Sequence, residues 1–157
     1  MIKLSGQSIV ETVIAAALIS VAVIAALSLA TRSERQSSYA KYSAQASKYT
    51  SQAGDWVRSE RNRLGWATLV TKVETDSVDS LALYCLNDLP LPPNDFNDLV
   101  VGQCEEDTYI PETFFTRTIT LDTTQAGSGI LKISIVVSWQ EKITRQTTLE
   151  LELTQWN

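Results

Sequence analysis

The 157-residue sequence predicts an α+β protein in which a long N-terminal helix, membrane-spanning in its first half and amphipathic in its second, packs on a C-terminal antiparallel β-sheet of three to four strands. Three observations carry that expectation. Thr12 to Thr31 is a run of 20 residues with no charge, proline or glycine. Apolar and aromatic residues then recur at helical steps as far as Leu64, and three later segments alternate apolar with polar side chains. The organisation expected is a leader over 1–6, a hydrophobic transmembrane or assembly helix over 7–31, an amphipathic continuation over 32–64 and a globular β-rich head over 65–157.

As a helix, the uncharged run spans about 30 Å, the thickness of the hydrocarbon core of a bilayer. An ordinary secretory signal carries its cleavage site after the apolar region. Here the conspicuous punctuation, Ser5-Gly6, lies before it, behind a leader whose single charge is Lys3. A cut after Gly6 leaves a chain that begins Gln7-Ser8-Ile9-Val10-Glu11 and keeps the hydrophobic helix. Glu11 is the one charged residue between Gln7 and Thr31. A carboxylate at the edge of an apolar span is costly unless it is paired or reaches the interface. Two readings follow: Glu11 snorkels at the membrane surface, or it pairs with a free amine at Gln7, one helical turn away.

Gly6-Gln7-Ser8-Ile9-Val10-Glu11, followed by the uncharged run, resembles the class III signal of type IV pilins and pseudopilins, in which a glycine precedes the cut and a glutamate stands fifth after it. The resemblance implies that a prepilin peptidase cuts between Gly6 and Gln7 and usually methylates the new terminus. It also implies that Glu11 is the assembly carboxylate. Gln7 stands where that family most often has phenylalanine, and a terminal glutamine can cyclise instead. Trp56-Val57-Arg58 with Arg61 and Trp66, Phe115-Thr116-Arg117 to Leu121, Val137-Ser138-Trp139 and Leu153-Thr154-Gln155-Trp156 resemble the helix end and closing strands of small prepilin-like proteins of the minor-pilin type. The simplest role for Arg58, Arg61 and Trp66 is to cap and anchor the helix end.

Ser33 to Leu64 contains no proline and one glycine, Gly54. Tyr39, Tyr42, Ala46, Tyr49, Ala53, Trp56, Val57 and Leu64 fall on one helical face. One helix from about Ser8 to Leu64 would be about 85 Å long; the alternative is an anchor and a separate short helix broken near Gly54. Leu81 to Leu86 reads as a short strand, and Asn87 to Asp98, with Pro90, Pro92 and Pro93, as a loop. Phe115 to Leu121 alternates, although Arg117 falls on the apolar side. Leu131 to Trp139 alternates with only Val136 off pattern, and Leu149, Leu151 and Leu153 alternate with Glu150, Glu152 and Thr154. These read as an antiparallel meander with one apolar face, for which the amphipathic half of the long helix is the cover.

The two cysteines, Cys85 and Cys104, have 18 residues between them. Outside the cell such a pair forms one disulfide, contributing about 3 kcal/mol by loop closure; two buried free thiols are the alternative. With no histidine and no further cysteine, a zinc set cannot be completed and Ser-His-Asp or Cys-His catalysis is excluded. Asp95, Asp98, Glu105, Glu106 and Asp107 could gather around the stapled loop for calcium, but their spacing fits no EF-hand. No metal, cofactor or enzymatic activity is expected.

Residues 32–63 carry seven Lys or Arg against three acids, a balance of +4, whereas residues 64–157 carry five against fourteen, a balance of −9. An acidic head disfavours direct nucleic-acid binding. Basic helix surfaces and acidic heads could instead pair between subunits. Charge alone does not orient the span, since Lys3 faces Arg32, Arg35 and Lys41 across it; the cleavage site and the disulfide place the head outside. The family resemblance therefore implies a minor pilin. Its partners would be prepilin peptidase, other pilin subunits in a helical filament, the inner-membrane assembly platform and, before assembly, membrane lipid. It would be single-pass in the cytoplasmic membrane before assembly and lie in an extracellular pilus or periplasmic pseudopilus afterwards. A pseudopilin of a type II secretion system and a single-span anchored surface domain with an uncut leader are the alternatives.

Overall fold

The computed structural model describes residues 7–89, 96–99, 101–105 and 107–155. Their elements run α1 (Gln7–Leu64), α2 (Trp66–Asp76), β1 (Leu81–Cys85), β2 (Phe115–Asp122), β3 (Ile130–Gln140) and β4 (Thr144–Thr154), with short 3-10 turns at Phe96–Asp98 and Ala126–Ser128. The chain divides into two compact units between Tyr42 and Ser43. The first holds α1 as far as Tyr42. The second holds the rest of α1, α2 and the sheet, so it is α+β, as the patterning predicts.

Within the second unit, α1 buries Ala46, Thr50, Ala53, Val57 and Glu60. This contact line is made of smaller residues than the expected aromatic stripe. Tyr49 and Trp56 lie to its sides, half-buried, and Tyr39 is exposed in the first unit. Gly54 explains the difference: a Cβ there would stand 3.1 Å from Leu151 Cδ2 and 3.3 Å from Leu149 Cδ2. Gly54 is therefore no helix break. It is a point where the helix backbone comes close to the sheet, and bulky residues lie on the flanks.

Gly65 follows α1 with φ 80° and ψ 157°, a backbone region open essentially to glycine alone, and donates its N–H to Arg61 O at 3.0 Å. The chain restarts at once as α2, an addition to the elements expected from sequence. Its Thr68, Thr71 and Thr75 and its valines lower helix propensity, and only Leu69 and Val73, one turn apart, are buried.

The sheet has order β1-β2-β3-β4, every neighbour antiparallel. Its register stacks Tyr84, Ile119, Ile135 and Leu149 across the four strands, and Ala82, Leu121, Ile133 and Leu151 beside them. These face the helices, joined by Leu69, Val73, Leu86 and Phe96 in one core. The opposite face carries Thr116, Thr118, Thr120, Lys132, Ser134, Val136, Glu150 and Glu152 and is open to solvent. Val136, off pattern in sequence, thus lies on the outer face, and Arg117 lies on the inner one.

Candidate functional site

The first unit presents the sequence-predicted assembly segment. An α-helix satisfies its own backbone, so what remains to be accounted for along α1 is its side chains. The large apolar residues from Ile9 to Leu29 are 50–69% exposed. Their helix is long and apolar enough to cross a membrane, with a mean hydropathy of 2.7 over its most apolar stretch and none of that stretch buried. All four hydroxyls between Ile9 and Thr31 are bonded to the helix itself: Thr12 Oγ1 donates to Ile9 O (2.8 Å), Ser20 Oγ to Ala16 O (2.8 Å), Ser28 Oγ to Ile24 O (2.9 Å) and Thr31 Oγ1 to Leu27 O (2.9 Å). These polar groups therefore need no water.

Glu11 is the exception. It is exposed on α1, and among the described residues no hydrogen bond or ion pair reaches it. Gln7 opens α1 one turn earlier; Gly6, the other half of the expected cleavage site, lies outside the described residues. A surface that is apolar on every side with one carboxylate can be accommodated by lipid tails or by other helices, provided the carboxylate finds a donor.

In the second unit the expected disulfide is present: Cys85 and Cys104, 19 positions apart in sequence, are joined with Cα atoms 4.6 Å apart. Val101 bridges to Tyr84, and Gly102 N donates to Leu83 O at 2.7 Å, so the segment reaching Cys104 runs along the free edge of β1. Of the loop between the cysteines, residues 90–95, with all three expected prolines, lie outside the described residues. Its far end is fixed. Phe96 is fully buried against Trp56 and Tyr84, with ring centroids at 5.9 and 5.5 Å, and its N–H donates to Glu60 Oε2 at 3.0 Å. Glu60 also accepts both Arg63 Nε (3.1 Å) and Nη2 (2.6 Å), a two-pronged pair that stabilises a buried carboxylate.

The near end of the loop is tied by Arg117, which is 2% exposed. Its guanidinium donates from Nε to Leu86 O (2.7 Å), from Nη1 to Tyr49 O (3.1 Å) and from Nη2 to Asn87 O (3.2 Å). Asn87 Oδ1 in turn accepts Arg117 N at 2.7 Å, and its Nδ2 donates to Thr108 O at 2.9 Å. One side chain thus joins α1, β2 and the start of the loop. Burial pushes its pKa down to about 10, with Tyr49 and Asp88 opposing, so it stays cationic at neutral pH. A second tie joins α2 to β1: Tyr84 donates its hydroxyl to Asp76 Oδ2 at 2.7 Å, and Lys72 pairs with the same oxygen at 2.7 Å. Burial first, then the Asp76 carboxylate, raises the phenol well above its ordinary value. Among the described residues no buried side-chain nitrogen or oxygen lacks a partner.

Arg61 fulfils its expected anchoring role, with Nη1 donating to Thr154 O at 3.2 Å and so joining the end of α1 to β4. Trp66 packs against the core from the start of α2, and Arg58 makes an exposed pair with Asp55 at 3.1 Å. Among the described residues, no group of three or more acids, cysteines or histidines could hold a metal; Asp95 and Glu106 of the expected acidic set lie outside them. The functions of Glu60, Phe96 and Arg117 are not anticipated by the sequence, where the one signal is an arginine on the apolar side of a strand. Comparison of the chain with protein-family models, curated proteins and solved structures returns no match.

Proposed function

We propose that this chain is a structural subunit, a minor pilin, of a type IV pilus or related filament, cut after Gly6 and assembled through its hydrophobic helix. The observation that carries the reading is the uncovered helix from Ile9 to Thr31, whose hydroxyls are all bonded internally and whose one charge, Glu11, has no partner among the described residues. Before assembly the segment sits in the cytoplasmic membrane, with the disulfide-bonded head outside. In the filament, neighbouring helices replace lipid, and the amine freed at Gln7 supplies the charge that Glu11 needs. The low dielectric around such a pair makes pairing strong and an unpaired carboxylate costly. That asymmetry lets Glu11 select assembled over isolated helices. The basic stretch 32–63 of one subunit and the acidic residues 64–157 of another are complementary in charge and help set subunit stagger.

The test is Glu11→Ala, with the chain followed in membranes and in sheared filaments. Insertion and leader removal are retained and incorporation into filaments is lost. Normal incorporation of the variant overturns the role of Glu11. Retention of residues 1–6 in the wild-type chain indicates a single-span anchored domain instead.

A further inference from the structure

On the outer face of the sheet, away from the helices, a cleft of about 440 Å³ opens between the end of β3 and the segment that follows Cys104. That volume falls within the roughly 300–1,000 Å³ of small-ligand sites. Three aromatic residues line it: Trp139, which is buried, and Tyr109 at 46% and Phe114 at 41% exposure, both unusually open to solvent for their type. They are held rather than loose. Phe114 stacks on the buried Phe115 at 4.6 Å, and Phe115 packs in turn on Trp139 at 5.7 Å. Ile110 N donates to Phe115 O at 2.7 Å and closes the loop that carries Phe114, while Tyr109, just before that loop, donates its hydroxyl to Asp107 Oδ1 at 3.4 Å. Within or beside that loop, Asp107 and Glu112 adopt left-handed φ values of 63° and 61°. Each costs on the order of 1 kcal/mol or more in a residue other than glycine, so the fold sustains strain where it keeps two rings in water.

Much of the rest of the lining is polar and hydrogen-bonding: Gln103, Thr118, Gln140 and Thr144 present amides and hydroxyls, while Glu105 and Asp107 add carboxylate acceptors. Among the described residues no basic side chain lines the cleft. The other large trough on this face, about 610 Å³, has no aromatic ring, and its Lys132 lies across from Asp122 and Glu152. That trough carries charges of both signs beside Leu81, Ile133 and Leu151. The first is built differently.

We infer that the cleft bounded by Tyr109 and Phe114 is a binding site for a neutral sugar. A pyranose ring has an apolar C–H face, which stacks on the electron-rich face of an aromatic ring. Around that face runs a rim of hydroxyls, each both donor and acceptor, matching the amides, hydroxyls and carboxylates of the cleft. The acidic, base-free lining rejects phosphate, sulfate and uronic acid groups by leaving their charge uncompensated. The inference does not depend on filament assembly, since every residue it uses lies in the second unit.

The full chain in a detergent without sugar headgroups is mixed with lactose, cellobiose or chitobiose and observed by saturation-transfer NMR. At least one disaccharide receives saturation from the protein, and Phe114→Ala or Tyr109→Ala weakens its binding about 3- to 10-fold, the loss of one stacking contact. Thr118→Arg fills the cleft without removing a core side chain and abolishes transfer, while near-ultraviolet circular dichroism confirms an intact fold. Transfer to none of the three sugars, transfer unchanged in Thr118→Arg, or binding of tetramethylammonium in their place overturns the inference.

Discussion

Replacing Arg117 by methionine tests whether the second unit depends on one buried cation. Methionine keeps most of the stem and its packing, so the change isolates the guanidinium. That group makes three bonds to main-chain carbonyls, at 2.7, 3.1 and 3.2 Å. Each hydrogen bond to a charged group contributes about 1.5–3 kcal/mol. Against this stands the cost of burying the cation: the fall from 12.5 to about 10 corresponds to roughly 3 kcal/mol at 1.36 kcal/mol per unit. The bonds win by a few kcal/mol, and the variant leaves Leu86 O and Asn87 O without their donor. Arg117→Met should therefore cost about 3 kcal/mol and lower Tm by roughly 10 °C, and Arg117→Ala should cost more by adding a cavity. Thermal unfolding of the full chain in detergent, followed by tryptophan fluorescence, measures both. A methionine variant within about 0.5 kcal/mol of the parent would refute the reasoning, because ordinary surface substitutions fall in that range.

Gly54→Leu should destabilise the second unit by about 1–3 kcal/mol through overpacking against Leu149 and Leu151. Gly54→Ala should be nearly neutral, as about 1 kcal/mol of gained helix propensity offsets a contact at the mobile ends of two leucines; urea unfolding separates the two cases. Tyr84 supplies a pH dependence. Its folded pKa lies above the unfolded 10.0, so its contribution is complete below pH 10 and falls as pH rises beyond it. Arg117, shifted down from 12.5 to about 10, contributes the opposite slope there. The stability difference between the parent and Tyr84→Phe cancels that slope and should shrink steadily above pH 10; a difference independent of pH contradicts the Tyr84–Asp76 tie.

What the sequence made legible was local. Alternation identified β3 and β4 because a strand that buries one face repeats every second residue, and it placed Val136 outward and Arg117 inward before either had a partner. The reason for Arg117 lay beyond reach: its acceptors, Leu86, Asn87 and Tyr49, are 31, 30 and 68 positions away. Gly54 looked like a possible break because sequence reports helix propensity and not the approach of Leu151. Helix α2 stayed hidden behind its threonines, with two buried residues too few to set a period. Glu11 stood out because a charge inside an apolar run needs no tertiary information to be conspicuous. Tyr109, Phe114 and Gln140 carried no comparable signal, since only strand register and the Cys85–Cys104 bridge bring their segments to one cleft.

The measurement that bears most directly on the central claim is the intact mass of this chain recovered from sheared surface filaments. The account predicts a filament-borne species lacking residues 1–6, beginning at Gln7 and lighter by two hydrogen atoms for the Cys85–Cys104 bond. A chain found only in membranes, with Met1 to Gly6 still attached, would contradict it.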